Sequence, residues 1–434
     1  MFLAVPVMLS HVGQVTVMTA DNVMVGHVGK ESLAAASFAN SVFVIFLVIG
    51  IGLSYAITPL TAQADGEDDE NKLRVLLKHS IFMGVVFGVL LSFIIFLNVD
   101  ILYLFKQPEN VVKLAIPYLS IIAFSLFPFL IFQSMRQFVE GLGYTRQSMY
   151  ITIAANFINI ILNYVLIFGE LGFPEMGLNG AGLATLISRI LMMLFMYAFV
   201  RFNHRFSNYW RHASQVRLRW HIFKKMLNLG IPMAFQLIFE VGAFSVTAIM
   251  IGWMGTTALA AHQIAINMAS ITYMAALGIA SAATIRVGNQ LGMKNYKMLR
   301  EAVFTCFIMV TAFMALMAIL LVVGRHFWPS LYIDDDEVHM VAASLLIVAA
   351  LFQLSDGIQV VGLGALRGMS DVIRPTVITF VAYWGIGIPL GYWLGFYGGL
   401  GPVGVWIGLL VGLTSAAVLL FYRFNQQTLN LIKQ

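Results

Sequence analysis

Apolar runs of about 20 residues or more follow one another from one end of the chain to the other, each long enough to cross the hydrocarbon core of a bilayer as a helix. Segmentation gives twelve spans, at 2–26, 32–62, 75–98, 111–139, 147–169, 178–200, 222–253, 258–287, 299–324, 338–366, 373–397 and 401–422. Of the 434 residues, 60% are hydrophobic and 10% charged, against roughly 25% charged in soluble domains. The excess is spread along the whole length, with a mean hydropathy of +0.87. An all-α polytopic membrane protein is expected. Met1 abuts apolar sequence without a basic leader, and reads as an uncleaved first span with a short preceding tail left open. The lone cysteine, Cys306, cannot form an intrachain disulfide, and among Phe304, Phe307 and Met309 it reads as a packing residue.

Charge alternates between the connecting segments. Twenty basic residues, including Lys72, Arg74, Arg136, Arg146, the run from Arg201 to Lys225, Arg286, Lys294, Arg367 and Lys433, collect on one side. The other side has Lys30, Lys106, Lys113 and Arg325, and Arg189 alone falls near the middle of a span. The positive-inside rule puts the basic side, with both termini, in the cytoplasm. The net charge of +5 therefore reflects topology and calls for no nucleic-acid partner.

The chain also repeats itself. Shifted by 226 positions, "PVMLSHVGQVTVMTADNVMVGHVGKESLAAASFA" lies over "PMAFQLIFEVGAFSVTAIMIGWMGTTALAAHQIA". Pro6 meets Pro232, Gly29 meets Gly255, and Gly52 meets Gly278. Two pseudo-symmetric six-helix lobes are expected, at 1–205 and 221–434, joined by a cytoplasmic connector at 206–220. Parallel repeats of this kind suit transporters that rock two lobes around a cavity. The spacing of Gly387, Gly391 and Gly395 allows close helix approach.

Of twenty Asp and Glu, three lie well inside spans: Asp21, Glu240 and Asp356. Each costs about 2.5–3.5 kcal/mol at a helix centre, so such residues face a bundle interior or a wet cavity. A carboxylate in a poorly solvated cavity can hold and release a proton, and its oxygens equally suit a hard cation such as Na⁺. Glu240 and Asp356 share the second lobe, which suggests one site able to bind a metal cation. The duplication sets Gln14 opposite Glu240 and Thr247 opposite Asp21, so the lobes differ chemically. Gln353 and Gln359 share a helical face with Asp356, and Asn156, Asn159 and Asn163 form a polar stripe. Gln14, Asn159, Asn163, Gln263, Gln353 and Gln359 are the residues expected to line a cavity. His11 reads as a packing residue and Arg189 as a counter-ion or snorkel.

The doubled pattern, with "FEVGAFS", "ITYMAALGIASAATIRVGNQLG" and "LFQLSDGIQVVGLGALRG" in order, resembles the multidrug and toxic compound extrusion (MATE) family and its NorM-like branch. The resemblance covers essentially the whole chain. It implies twelve helices in two lobes forming an outward-open V, and cation-coupled export of amphipathic, often cationic drugs. It implies that Glu240, Asp356, Tyr273 and Asp21 couple the cation, although Tyr273 judged alone would be unremarkable core. It matches the family's polar pair on the fifth helix to Asn159 and Asn163. The short N-terminal tail departs from the family and puts the start of the first helix in doubt.

The function expected is a Na⁺- or H⁺-driven antiporter of a bacterial inner membrane, acting as a monomer on small molecules, without a cofactor. The alternative is a lipid-linked-precursor flippase of the same superfamily, which would need a strongly cationic cavity. A membrane enzyme is disfavoured, because no His-Glu-x-x-His, Gly-x-Ser-x-Gly or Walker glycine loop occurs.

Overall fold

The computed structural model describes residues 2–213 and 216–433. Its long helices are α1 (Ala4–Val28), α2 (Lys30–Gly66), α3 (Glu70–Leu97), α4 (Glu109–Gly141), α5 (Thr145–Phe168) and α6 (Gly177–Phe202). They continue as α7 (Trp220–Gly252), α8 (Thr256–Gly292), α9 (Tyr296–Val323), α10 (Asp336–Gly368), α11 (Ile373–Tyr397) and α12 (Gly401–Lys433). Eleven of the twelve are long and apolar enough to span a membrane; α1 is the exception. Its 25 residues suffice in length, but His11, Gln14, Thr16, Thr19, Asp21 and Asn22 dilute its hydropathy. The last helix runs eleven residues past its expected end at 422, to Lys433. Part of the expected connector is itself helical: His204–Ala213 buries Phe206 and Tyr209, and its Arg205 donates to Asp65 at 3.0 Å.

Helix α2 is interrupted at Tyr55 and Ala56. Pro59 accounts for this, since it lacks the N–H that would reach the Tyr55 carbonyl and its ring crowds that oxygen. Helix α11 widens into π-helical turns at Val381–Gly387 and Trp393–Tyr397. Its glycine row packs against the glycines of α12 as the sequence spacing leads one to expect. A Cβ on Gly408 would overlap the Gly391 backbone, and one on Gly391 would sit 3.0 Å from the Val405 oxygen.

The 226-residue repeat is visible in the turns. Gly29 and Gly255 both take positive φ, at 151° and 116°. Asp68 and Lys294 are both left-handed, at 53° and 57°. Immediately after them Asp69 caps α3 by accepting from Lys72 N at 3.0 Å, and Asn295 caps α9 by accepting from Met298 N at 3.2 Å.

Packing divides the chain into two compact units, Leu9–Ala234, and Phe235–Gln434 together with Met1–Met8. The boundaries thus fall inside α1 and α7, away from the connector, and Met8 and Ala234 are themselves 226 positions apart. Close glycine contacts explain the division. In the first unit a Cβ on Gly230 would lie 2.7 Å from the Leu53 oxygen. In the second, a Cβ on Gly278 would lie 2.7 Å from the Ala4 oxygen and 3.0 Å from Met8 Cβ.

Arg136, counted with the basic side near the end of its expected span, lies within α4 and is 2% exposed. Its Nε donates to Glu140 Oε1 at 2.6 Å, one helical turn away, so the buried charge is neutralised locally. Thr58 of α2 donates to Gln137 Oε1 at 2.5 Å beside it. Removing one partner strands the other in the interior, which costs about 3–5 kcal/mol, whereas replacing both with apolar residues is close to neutral. Arg136→Met is therefore expected to destabilise the detergent-solubilised protein by about that amount in denaturant unfolding, and Arg136→Met with Glu140→Leu to recover most of the loss.

Candidate functional site

In the second unit four helices bring polar side chains into an otherwise apolar interior. Helix α7 supplies Gln236 and, one turn later on the same face, Glu240; both are buried. Helix α8 supplies Tyr273, whose hydroxyl donates to Glu240 Oε1 at 2.8 Å. Helix α10 supplies Gln353, Asp356 and Gln359 at three-residue spacing, all buried. Helix α11 supplies Tyr383, fully buried within the π-helical turn, whose hydroxyl donates to Gln359 Oε1 at 2.9 Å. Trp384 follows, and its Nε1 donates to the Phe239 oxygen at 3.0 Å, fixing α11 to the turn of α7 that carries Glu240.

The two acids form the electrostatic centre. Their charges reach each other and both tyrosine hydroxyls, and the Arg367 charge reaches Glu240. Arg367 is held by Gln236, whose Oε1 accepts from Arg367 Nη2 at 2.9 Å and whose Nε2 donates to Thr379 at 3.4 Å. Among the described residues neither Glu240 nor Asp356 forms an ion pair. Two buried carboxylates whose charges reach each other in a low dielectric disfavour one another's ionised form, and a cation or a proton relieves that. Gln353 adds a buried amide with neither its oxygen nor its nitrogen partnered among the described residues. The oxygens present suit a hard monovalent cation or a proton. No group of three or more His, Cys, Asp or Glu is placed to hold a metal among the described residues, so any bound cation would lean on hydroxyl, amide and carbonyl oxygens as well.

The first unit holds a separate arrangement. Asn163 of α5 donates both to Asp21 of α1 and, at 3.1 Å, to Asn159 Oδ1. Asn156 on the same stripe faces Gly13, where a Cβ would lie 3.1 Å from Asn156 Nδ2. The stripe therefore both joins α5 to α1 and supports the acid. Arg189 does not snorkel: its guanidinium lies 5.1 and 4.9 Å from the ring centroids of Phe43 and Phe129, and it donates to Ser125 Oγ at 2.7 Å. Its charge reaches Asp21, so it is an internal counter-charge. His11 and Gln14 are hydrogen-bonded on α1, and the Arg136 charge reaches His11.

Glu240, Tyr273, Asp356 and Gln359 thus belong to one constellation, with Gln353 one turn along α10, and Asp21, Asn159 and Asn163 to another. Gln263 joins neither; it is exposed and donates to Asn267 Oδ1 at 3.2 Å on its own helix. Sequence reading passed over Gln236, Arg367, Thr379 and Tyr383. Their signal was present only as polar atoms on helix faces shared with the acids, and for Tyr383 the surrounding aromatics hid it.

The MatE family model matches residues 6–165 and again 232–393, the two copies of the repeat. The chain belongs to the MatE family. Probable multidrug resistance protein NorM of Agrobacterium fabrum is 35% identical over 428 residues, which cover 97% of this chain and 92% of that one. Multidrug resistance protein NorM of Photobacterium profundum is 36% identical, covering 97% and 93%. Multidrug resistance protein MdtK of Yersinia pseudotuberculosis is 33% identical, covering 97% and 93%. A solved multidrug resistance MATE family transporter of the MOP superfamily, in an outward-facing conformation, superposes with a TM-score of 0.91 over 100% of this chain and 96% of that one. At 22% identity that likeness shows the MATE fold alone.

The Tyr273–Glu240 hydrogen bond engages a group able to carry charge, and such bonds are worth about 1.5–3 kcal/mol. A double-mutant cycle of Tyr273→Phe and Glu240→Gln, read by thermal unfolding in detergent, is expected to return a coupling energy in that range. Additivity of the two substitutions would show that the hydroxyl and the carboxyl do not interact.

Proposed function

We propose that this multi-pass membrane protein is a cation-coupled antiporter that exports amphipathic, often cationic, drugs and toxic compounds across a bacterial inner membrane, with both termini in the cytoplasm. The observation that carries the reading is two buried acids on facing elements of the second unit of a MatE chain, Glu240 and Asp356, neither of which forms an ion pair among the described residues. Relatives named as multidrug resistance proteins support the substrate class. The twenty-to-four division of basic residues supports the orientation.

In this mechanism Na⁺ or H⁺ entering from outside neutralises the Glu240–Asp356 pair. Tyr273 holds Glu240 in position, and Gln353 offers an amide oxygen. Loading the site removes the repulsion between the acids, which stabilises the state that releases drug outward and returns the carrier empty. The energies are of the right size. Holding a neutral drug at about 100-fold excess takes about 2.7 kcal/mol. One cation moving inward through about 100 mV supplies about 2.3 kcal/mol, and a modest chemical gradient closes the difference. Each chain carries a complete site, so a monomer suffices.

The decisive measurement is ethidium efflux from a drug-hypersensitive bacterial host, with Na⁺ and protons supplied separately. Glu240→Gln and Asp356→Asn are each expected to abolish coupled efflux while membrane insertion persists; unimpaired efflux in both would refute the site. Gln353→Leu separates the ions. It removes an oxygen that Na⁺ needs and a proton does not, so loss of Na⁺-driven efflux with proton-driven efflux kept identifies Na⁺ as a ligand of this site, and an equal effect on both argues for the proton.

A further inference from the structure

On the face of the second unit where α9, α10 and α12 meet lies a groove of about 830 Å³. It forms because α9 presents Thr311, Ala312 and Ala315 where its neighbouring turns carry Ile308 and Leu316. Ile308, Val418 and Tyr422 on its rim are exposed, and on a membrane-spanning helix bundle such a rim meets lipid. Its wall is not uniformly apolar. The hydroxyls of Ser355 and Thr414 bond each other at 2.8 Å. At one end Asn425 turns into it with a buried Oδ1 that has no hydrogen-bond partner among the described residues. An unmet amide acceptor is costly in hydrocarbon and calls for a donor. Next to it the Arg300 guanidinium, 5.1 Å from the Phe304 ring centroid, donates to Thr428 Oγ1 at 3.2 Å. Lys294 and Lys297 stand at the same end of α9.

We propose that this groove binds one glycerophospholipid whose headgroup carries a hydrogen-bond donor. An acyl chain lies along Phe307, Ala312 and Ala315 toward Ser355. The phosphate sits at the Arg300 end, and a turn of the Asn425 side chain brings its buried Oδ1 out to accept from an ammonium or hydroxyl of the headgroup. A drug would not need the cationic end, since the exported compounds are often cations themselves. Ser355 immediately precedes Asp356, so the lipid packs behind the turn of α10 that presents Asp356 to the other acid.

The test uses the full-length protein purified in mild detergent from cells grown with and without ethidium, with bound lipid read by native mass spectrometry. One phospholipid per chain is expected in both preparations, with its occupancy reduced about tenfold in Ala312→Trp, which fills the groove, and in Asn425→Leu, which removes the acceptor. Because either substitution could disturb folding, the delipidated wild type is also titrated with phosphatidylethanolamine, phosphatidylglycerol and phosphatidylcholine and followed by thermal unfolding. The first two are expected to raise the melting temperature, and phosphatidylcholine, whose headgroup has no donor, to leave it unchanged. Equal stabilisation by all three, equal retention in both variants, or retained ethidium in place of lipid would each overturn the proposal.

Discussion

The hydrogen bond from Tyr273 to Glu240 is the interaction on which the second unit turns, because it meets only part of what a carboxyl inside a bilayer requires. An acid at a helix centre costs about 2.5–3.5 kcal/mol, and one bond to a charged group returns about 1.5–3. A single acid so held could be a static structural feature. Asp356 makes the arrangement unstable in its fully ionised form, because its charge reaches the same tyrosines and Glu240 itself. The remainder is left for something that comes and goes. The Arg367 charge reaches Glu240 but forms no ion pair with it among the described residues, its guanidinium being held by the neutral Gln236 amide. On the proposed reading, a small cation is drawn by an incompletely balanced interior rather than by a preformed cage of ligands.

Duplication preserved geometry and released chemistry. The paired turns at Gly29 and Gly255 and at Asp68 and Lys294, with the caps that follow them, are backbone solutions that either copy loses only at a cost. Side chains facing the interior were free to diverge. Opposite Glu240 stands Gln14, and opposite Asp21 stands Thr247, whose hydroxyl merely bonds the Ala243 oxygen in its own helix. The first unit meets its acid with the amide of Asn163 and the charge of Arg189. That acid is already provided for, and the pair in the second unit is not.

The helices, their number and the repeat were legible because they rest on length and on residue spacing, which a sequence displays directly. Glu240 and Asp356 were legible for the same reason, as charges where charge is expensive. Tyr383 was not, because an aromatic in an apolar helix looks like core until its hydroxyl is seen on Gln359. Arg136 was counted with the basic side although it lies within an expected span, because a topology rule counts charges without asking whether one is cancelled four residues on.

The unit boundaries bear on how a local event is carried through the molecule. Helix α7 begins within one compact unit and, beyond Ala234, belongs to the other, and Glu240 lies six residues past that point. Helix α1 makes the reciprocal change after Met8 and carries Asp21 farther along. Each of the two opening helices therefore bears an acid on the segment beyond its crossover. Interiors are close-packed, have low compressibility and transmit strain, and rigid secondary elements carry it over distance. A continuous helix shared by two packed bodies is such an element. Glu240 stands on a helix whose earlier turns belong to the first unit, where Gly230 meets Leu53, so the site is joined to that unit by covalent helix.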